Sequence, residues 1–137
     1  MADTIKKVDY YKIETANRAG EGARILGALK EAGVNLIAFT GFPRGRRTQL
    51  DFIPEDGAAF RKAMKKAGVA ASKKKTGFLV QGRDKVGAIA DILAKLADAG
   101  INVTALNAVT AGKGRFGAIL WVKPESVAKA SRALGAS

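Results

Sequence analysis

Residues 87–103 read Gly87-Ala88-Ile89-Ala90-Asp91-Ile92-Leu93-Ala94-Lys95-Leu96-Ala97-Asp98-Ala99-Gly100-Ile101-Asn102-Val103, and the pattern also stands 67 residues earlier. At that offset Gly20, Ile25, Leu26, Leu29, Ala32, Gly33 and Asn35 fall on Gly87, Ile92, Leu93, Leu96, Ala99, Gly100 and Asn102. Val34 and Leu36 fall on Ile101 and Val103. Pro54-Glu55 and Pro124-Glu125 are 70 apart, so the second copy carries about three extra residues between these landmarks. The chain is a duplication.

Each copy reads in the same order. Ile89, Ile92, Leu93 and Leu96 follow the i, i+3, i+4, i+7 stripe of an amphipathic helix, with Gly100 where such a helix is capped. Phe78-Leu79-Val80 before it reads as a strand, as does Ile101–Val109 after it, rich in β-branched and apolar residues. Ala111-Gly112-Lys113-Gly114 then predicts a hairpin turn into a strand over Phe116–Val122. Pro124-Glu125-Ser126 opens a second helix with Val127, Ala130 and Leu134 on one face. The first copy predicts strand Val8–Thr15, helix Gly20–Ala32, strand Val34–Phe42, a turn at Pro43–Arg46, strand Thr48–Ile53 and a helix from about Glu55 to Lys66. Val69–Lys74 is its expected fourth strand, and of Tyr10-Tyr11 one ring is expected in the core.

This order is the split βαβ plan, so the expected class is α+β: two ferredoxin-like βαββαβ units in tandem, each an antiparallel sheet with its helices on one face. The expected domains are residues 1–72 and 73–137, divided at the basic run Lys73-Lys74-Lys75. No fourth strand follows the last helix of the second copy, so that strand is either missing or supplied by rearrangement or a partner. In the strand Phe116–Val122 alternate residues on both faces are apolar. Ile119 and Trp121 therefore need cover beyond the helices, which favours packing between copies or between chains.

Composition removes much chemistry. The 137 residues contain no cysteine and no histidine, which excludes disulfides, thiolate nucleophiles and Ser-His-Asp machinery. Glu14, Glu21, Asp51 and Asp84 show no paired spacing for glycoside or metal chemistry. The expectation is a protein that is not an enzyme, with no metal and no cofactor. Apolar residues make up 47%, enough for a packed core. Met1–Lys7 has no apolar signal core, and Asp91, Lys95 and Asp98 interrupt the best candidate for the run of about 18 apolar residues that a membrane span needs. A cytoplasmic location with no membrane partner is expected. The net charge is +12, and both copies share it: residues 1–68 hold 13 cations against 8 acids, the remainder 11 against 4.

The informative segments join first strand to first helix. Copy one has Thr15-Ala16-Asn17-Arg18-Ala19-Gly20-Glu21, and copy two has Gln81-Gly82-Arg83-Asp84-Lys85-Val86-Gly87-Ala88. An acid or amide, a cation and a glycine at a helix entrance make a concave backbone site whose free N–H groups attract carboxylates. Asp84 or Asn17 can accept from a ligand amine, and Asn35 and Asn102, at the start of the next strand, can donate and accept together. A structural account competes: Asp84 and Asn17 cap their helices, and the glycines relieve crowding.

Asp84-Lys85-Val86-Gly87 … Ile92-Leu93 … Leu96 … Ala99-Gly100-Ile101-Asn102-Val103 resembles the signature of the ACT domain, a ferredoxin-like regulatory module. Asn17-Arg18-Ala19-Gly20 … Ala32-Gly33-Val34-Asn35-Leu36 is a weaker copy of it. The resemblance covers nearly the whole chain as a stand-alone tandem. It implies modules that pair through their sheets and bind amino acids or similar small effectors at this turn and the start of the second strand. The implied ligand-binding residues are Asn17, Arg18, Ala19, Gly20, Glu21 and Asn35 in copy one. In copy two they are Asp84, Lys85, Val86, Gly87, Ala88 and Asn102. A homodimer and a separate enzyme or regulator as partner are implied too. Ala19 and Val86 replace the proline usual before the glycine, and Asn17 replaces the acid in the first copy, so the two sites need not both bind.

Two rival motifs remain. Gly112-Lys113-Gly114-Arg115-Phe116-Gly117 matches G-x-G-x-x-G, but a strand follows it rather than the helix a dinucleotide site requires. Gly114-Arg115-Phe116-Gly117-Ala118-Ile119-Leu120-Trp121 partly matches the third strand of an RNA-recognition domain, with Phe116 and Trp121 as stacking platforms. The clusters Arg44-Arg46-Arg47 and Lys73-Lys74-Lys75 suit a polyanion. Single-stranded nucleic acid is therefore the alternative partner to an amino-acid effector.

Overall fold

The computed structural model describes residues 3–137. The strands are β1 (Thr4–Ala16), β2 (Leu36–Arg44), β3 (Arg47–Pro54), β4 (Lys75–Arg83), β5 (Ala105–Gly112) and β6 (Arg115–Trp121). The helices are α1 (Glu21–Glu31), α2 (Gly57–Lys66), α3 (Ala88–Asp98) and α4 (Val127–Leu134), the last entered through a single 3₁₀ turn, Pro124–Ser126. The chain forms two compact units. One runs from Asp9 to Lys75; the other joins the described residues through Val8 to Thr76–Ser137. The start of the chain thus packs with its end, an exchange that a single cut between 72 and 73 leaves out.

In the unit 9–75 the strand order is β2-β3-β1, antiparallel throughout. Tyr11 pairs with Phe52 and Ile13 with Leu50, so one face of the sheet carries all four. The period of two along a strand puts them under the helices. They meet Ile25 and Leu29 of α1 and Phe60 and Met64 of α2 in one buried cluster. Tyr11 stacks on Phe60 at 4.9 Å between ring centres, and its hydroxyl accepts a hydrogen bond from Arg61. Of the tyrosine pair, Tyr11 is the core ring and Tyr10 is half-buried.

The expected fourth strand Val69–Lys74 is not a strand. It touches β1 at one place: the Ser72 N–H donates to the Lys12 carbonyl at 2.8 Å, and the Lys12 N–H donates to the Ser72 hydroxyl at 2.9 Å. A side-chain oxygen has taken the place of a main-chain carbonyl, so the ladder stops there.

In the other unit the order is β1-β4-β6-β5. Phe78, Val80, Phe116, Ala118 and Leu120 face Ile92 and Leu96 of α3 and Ala130 and Leu134 of α4. The described residues of β1 through Val8 form the fourth strand of this unit, so rearrangement within the chain completes it. Ile5 packs onto the core, and the Asp3 carboxylate accepts from the Arg83 N–H at 2.9 Å. The Ser137 N–H donates to the Ile5 carbonyl at 3.1 Å, and the Lys7 N–H donates to the Ser137 carbonyl at 3.0 Å. Ile119 and Trp121, on the second face of β6, are 6% and 5% exposed.

The duplication survives in the details. α1 and α3 end alike: Val34 N–H reaches the Leu29 carbonyl and Ile101 N–H the Leu96 carbonyl, both at 2.9 Å. The hairpins close at Arg44–Arg47 and Gly112–Arg115, an offset of 68. One of the three extra residues therefore enters before the hairpin tip and two enter between β6 and Pro124. If β1 completes the second unit, Ile5→Ala will lower stability by about 1–3 kcal/mol, the range for shortening a partly buried aliphatic side chain. Urea unfolding followed through the single tryptophan measures this; an unchanged midpoint would contradict the assignment.

Candidate functional site

Both helix entrances rest on a left-handed glycine. Gly20 has φ +89° before α1, and Gly87 has φ +82° before α3. A residue with a Cβ is strained at such angles, so glycine is what allows the chain to swing from strand into helix here. Neither helix has a side-chain cap, which removes the account of Asn17 and Asp84 as capping residues. Asn17 instead accepts from the Thr48 hydroxyl at 3.0 Å. The Asp84 N–H donates to the Gly114 carbonyl at 2.9 Å, and its side chain is exposed.

In the second unit the entrance opens into a cavity of about 290 Å³. The strand–helix turn lines one wall with Asp84, Lys85, Gly87 and Ala88, continued by Ile89 and Ala90 of α3. Ala108, Val109 and Thr110 of β5 form the opposite wall, with Phe116 of β6 between them. The sheet register explains the meeting. Gly82 pairs with Phe116 and Phe116 with Thr110, so the end of β5 lies two strands from the turn, under the first turn of α3. The Ala88 N–H donates to the Lys85 carbonyl at 3.2 Å and the Asp91 N–H to the Gly87 carbonyl at 3.0 Å. The amides of Ile89 and Ala90 have no intrahelical carbonyl, as at any helix start, and both residues border the cavity.

Other expected site residues lie elsewhere. Val86 is fully exposed, with its side chain in solvent. Asn35 and Asn102 precede β2 and β5 rather than beginning them. Each follows the C-terminal end of its helix, with the 11 residues of α1 or α3 between it and the entrance turn. At 1.5 Å per residue that is roughly 16 Å. Asn35 donates to the Glu55 side chain at 3.1 Å, while its carbonyl accepts from the Glu55 N–H at 3.0 Å, so it ties the exit of α1 to the entry of α2. Sequence reasoning missed Ala108, Val109 and Thr110, and read Phe116 only as a stacking platform for a base. The hairpin at Lys113-Gly114 was the available signal, because folding back there brings β5 beside the turn.

The first unit's entrance differs. Arg18, Ala19 and Gly20 are exposed, but Glu21 is buried at 8% exposure. One carboxylate oxygen accepts from Arg18 (Nη2 at 2.9 Å) and the other from Arg24 (Nε at 3.0 Å). Hydrogen bonds from Arg24 and then Arg18 hold the Glu21 carboxyl below its ordinary value of 4.5. Asp51, buried on β3, shifts the other way: burial raises it, against the Gln49 hydrogen bond and the charges of Lys12, Lys75 and Arg44. Tyr10 is raised by its own burial and then by Asp51.

Residues 78–136 match the family model described as the ACT domain. Over that segment the second unit resembles an ACT domain. The first unit repeats its strand-helix-strand-strand-helix order, so the chain holds two ferredoxin-like units. Solved structures share the fold. A protein from Bacteroides thetaiotaomicron aligns with TM-score 0.83 and 18% identity, over 96% of this chain and 88% of that one. The regulatory subunit of aspartate kinase from Thermus thermophilus, in ligand-free form, gives 0.67 and 17%, over 98% and 95%. E. coli aspartokinase III in complex with aspartate and ADP gives 0.59 and 12%, over 97% of this chain and 32% of that one. No curated protein matches the sequence.

The two units have features that bear on the rival readings. Phe116 and Trp121 are 6% and 5% exposed, so neither ring offers an open face for a base to stack on. Among the described residues no group of three or more acids could hold a metal ion, and no helix is long and apolar enough to cross a membrane.

The Glu21 pairs have a pH consequence. Folding favours the charged carboxylate, so the unfolded chain binds more protons at and below pH 4.5. The stability Glu21 contributes is present above that value and is lost as pH falls through the lowered one. Glu21→Gln should therefore be less stable than the natural chain at pH 7, and the gap should narrow on going to about pH 3. Urea midpoints at the two pH values check this; a gap that widens in acid is the contrary result.

Proposed function

We propose that this chain is a cytoplasmic regulatory protein that binds a small amino-acid-like effector in the cavity between the Asp84–Ala88 turn and β5. The observation that carries the reading is the chemistry of the rim. Lys85 and the Ile89 and Ala90 amides at the start of α3 suit a carboxylate. Asp84, exposed across the same turn, suits an ammonium group. A zwitterion satisfies both at once. The volume of about 290 Å³ lies at the small end of ligand pockets, which fits a metabolite of amino-acid size better than a nucleotide.

The ACT match over residues 78–136 supports a regulatory, ligand-binding role. Solved structures of like fold are aspartate kinase regulatory subunits, and one aspartokinase holds aspartate. By analogy, binding here changes how copies of the chain pair, and a separate enzyme or regulator reads the result. The effector can shift that equilibrium only as far as it prefers one arrangement over the other. The assembly we propose is a homodimer, and each ACT unit acts as a module of one tandem.

A thermal-shift panel of the twenty amino acids tests the reading. At least one should raise Tm with concentration. Asp84→Ala and Lys85→Ala should each weaken that response roughly 10- to 100-fold, the effect of losing a charge-assisted hydrogen bond. No response in the natural chain, with salt-sensitive binding to single-stranded RNA, would favour the nucleic-acid alternative.

A further inference from the structure

We infer that the first unit's entrance is closed by its own carboxylate, Glu21, so that each chain offers one effector site, in the second unit. The inference rests on the effector reading above and adds its stoichiometry and its cause.

Three substitutions between the copies act together. The first is at the helix start. Glu21 occupies the position that Ala88 holds in the second unit, 67 residues on. Its side chain is 10% exposed, and its two oxygens are each bonded to a different guanidinium, from Arg18 and Arg24. Those are the contacts an incoming carboxylate would seek, made from within the chain at no cost in translational freedom. In the second unit the matching positions are Lys85 and Asp91, whose charged groups are 3.9 Å apart and largely exposed, leaving Lys85 open to a ligand.

The second substitution is in the sheet floor. Val80, Ala118 and Ala108 form one cross-strand row in the second unit, and Ile13, Leu50 and Gly41 form the corresponding row in the first. The second unit has an alanine at each of the last two of those positions, and Ala108 borders the cavity, where the first unit has a leucine reaching over a glycine. A Cβ placed on Gly41 would stand 2.9 Å from Leu50 Cδ2, so the leucine side chain already fills that space. The third lies at the turn itself. Thr48, in the place of Phe116, donates its hydroxyl to Asn17 at 3.0 Å and ties the turn to β3, whereas Asp84 keeps its carboxylate exposed.

The copies have diverged into one receptive turn and one that carries a built-in counterpart of the ligand. Glu21→Ala removes that counterpart and leaves two arginines facing a vacant seat; Glu21→Gln keeps the seat filled.

Acetate probes the seat without knowledge of the natural effector. Sodium acetate, compared with chloride at equal ionic strength, should raise the Tm of Glu21→Ala progressively and leave the natural chain and Glu21→Gln unmoved. Amide chemical shifts during titration with an equimolar mixture of the twenty amino acids give the second measurement. In the natural chain they should move around residues 84–91 and 108–110 and stay fixed around 17–24; in Glu21→Ala the 17–24 group should move as well. Movement of both groups in the natural chain overturns the inference while leaving the effector reading intact, and this arm needs no variant to fold. Absence of an acetate response in folded Glu21→Ala overturns it also. If neither group moves in the natural chain, the effector reading falls, and the single-site inference with it.

Discussion

A helix that leaves the end of a strand begins with amides that its own carbonyls cannot reach, and here a left-handed glycine decides where those amides point. Gly20 and Gly87 do this in the same way, each following a first strand and each starting an 11-residue helix. The amides come out over the end of the sheet, above the strand two places away. A positive end of a helix facing a gap at a sheet edge is a receptor for negative charge, whatever supplies it. The rest of each unit, two helices over one face of an antiparallel sheet, holds that junction in place.

What supplies the charge differs between the copies. In the first, a buried glutamate with an arginine on each oxygen meets the helix start, and Leu50 leans over the edge strand at Gly41. In the second, alanines stand at both places, and a cavity opens beside Ala88. Duplication followed by small changes of side-chain volume and charge can thus yield one stiff unit and one receptive unit on the same backbone plan. The backbone hardly records the difference; both turns place a glycine at a φ between +80° and +90° and make the same first-turn bond back to it.

The apolar stripe of α3, the strands beside it and the pairing of copies at an offset of 67 were legible because core burial imposes period and order on a sequence. The entrance turns were legible as glycine junctions. Two things were not. Asn35 and Asn102 look adjacent to the turn in the motif, yet a helix of 11 residues separates them from it, and Asn35 serves to bind Glu55. The β5 wall of the cavity was hidden because Ala108, Val109 and Thr110 carry no distinctive chemistry; only the hairpin register brings them under α3.

By itself the sequence determined the duplicated α+β plan, the helix faces and the absence of histidine and cysteine chemistry, since each is set by residue type and spacing along the chain. Tertiary structure decided that β1 completes the second unit, that Val69–Lys74 stops short of a strand, and that Phe116 and Trp121 are interior. It also decided which entrance is open. Those outcomes depend on which distant segments share a sheet edge or a core, and such contacts form between residues tens of positions apart, where local periodicity carries no information.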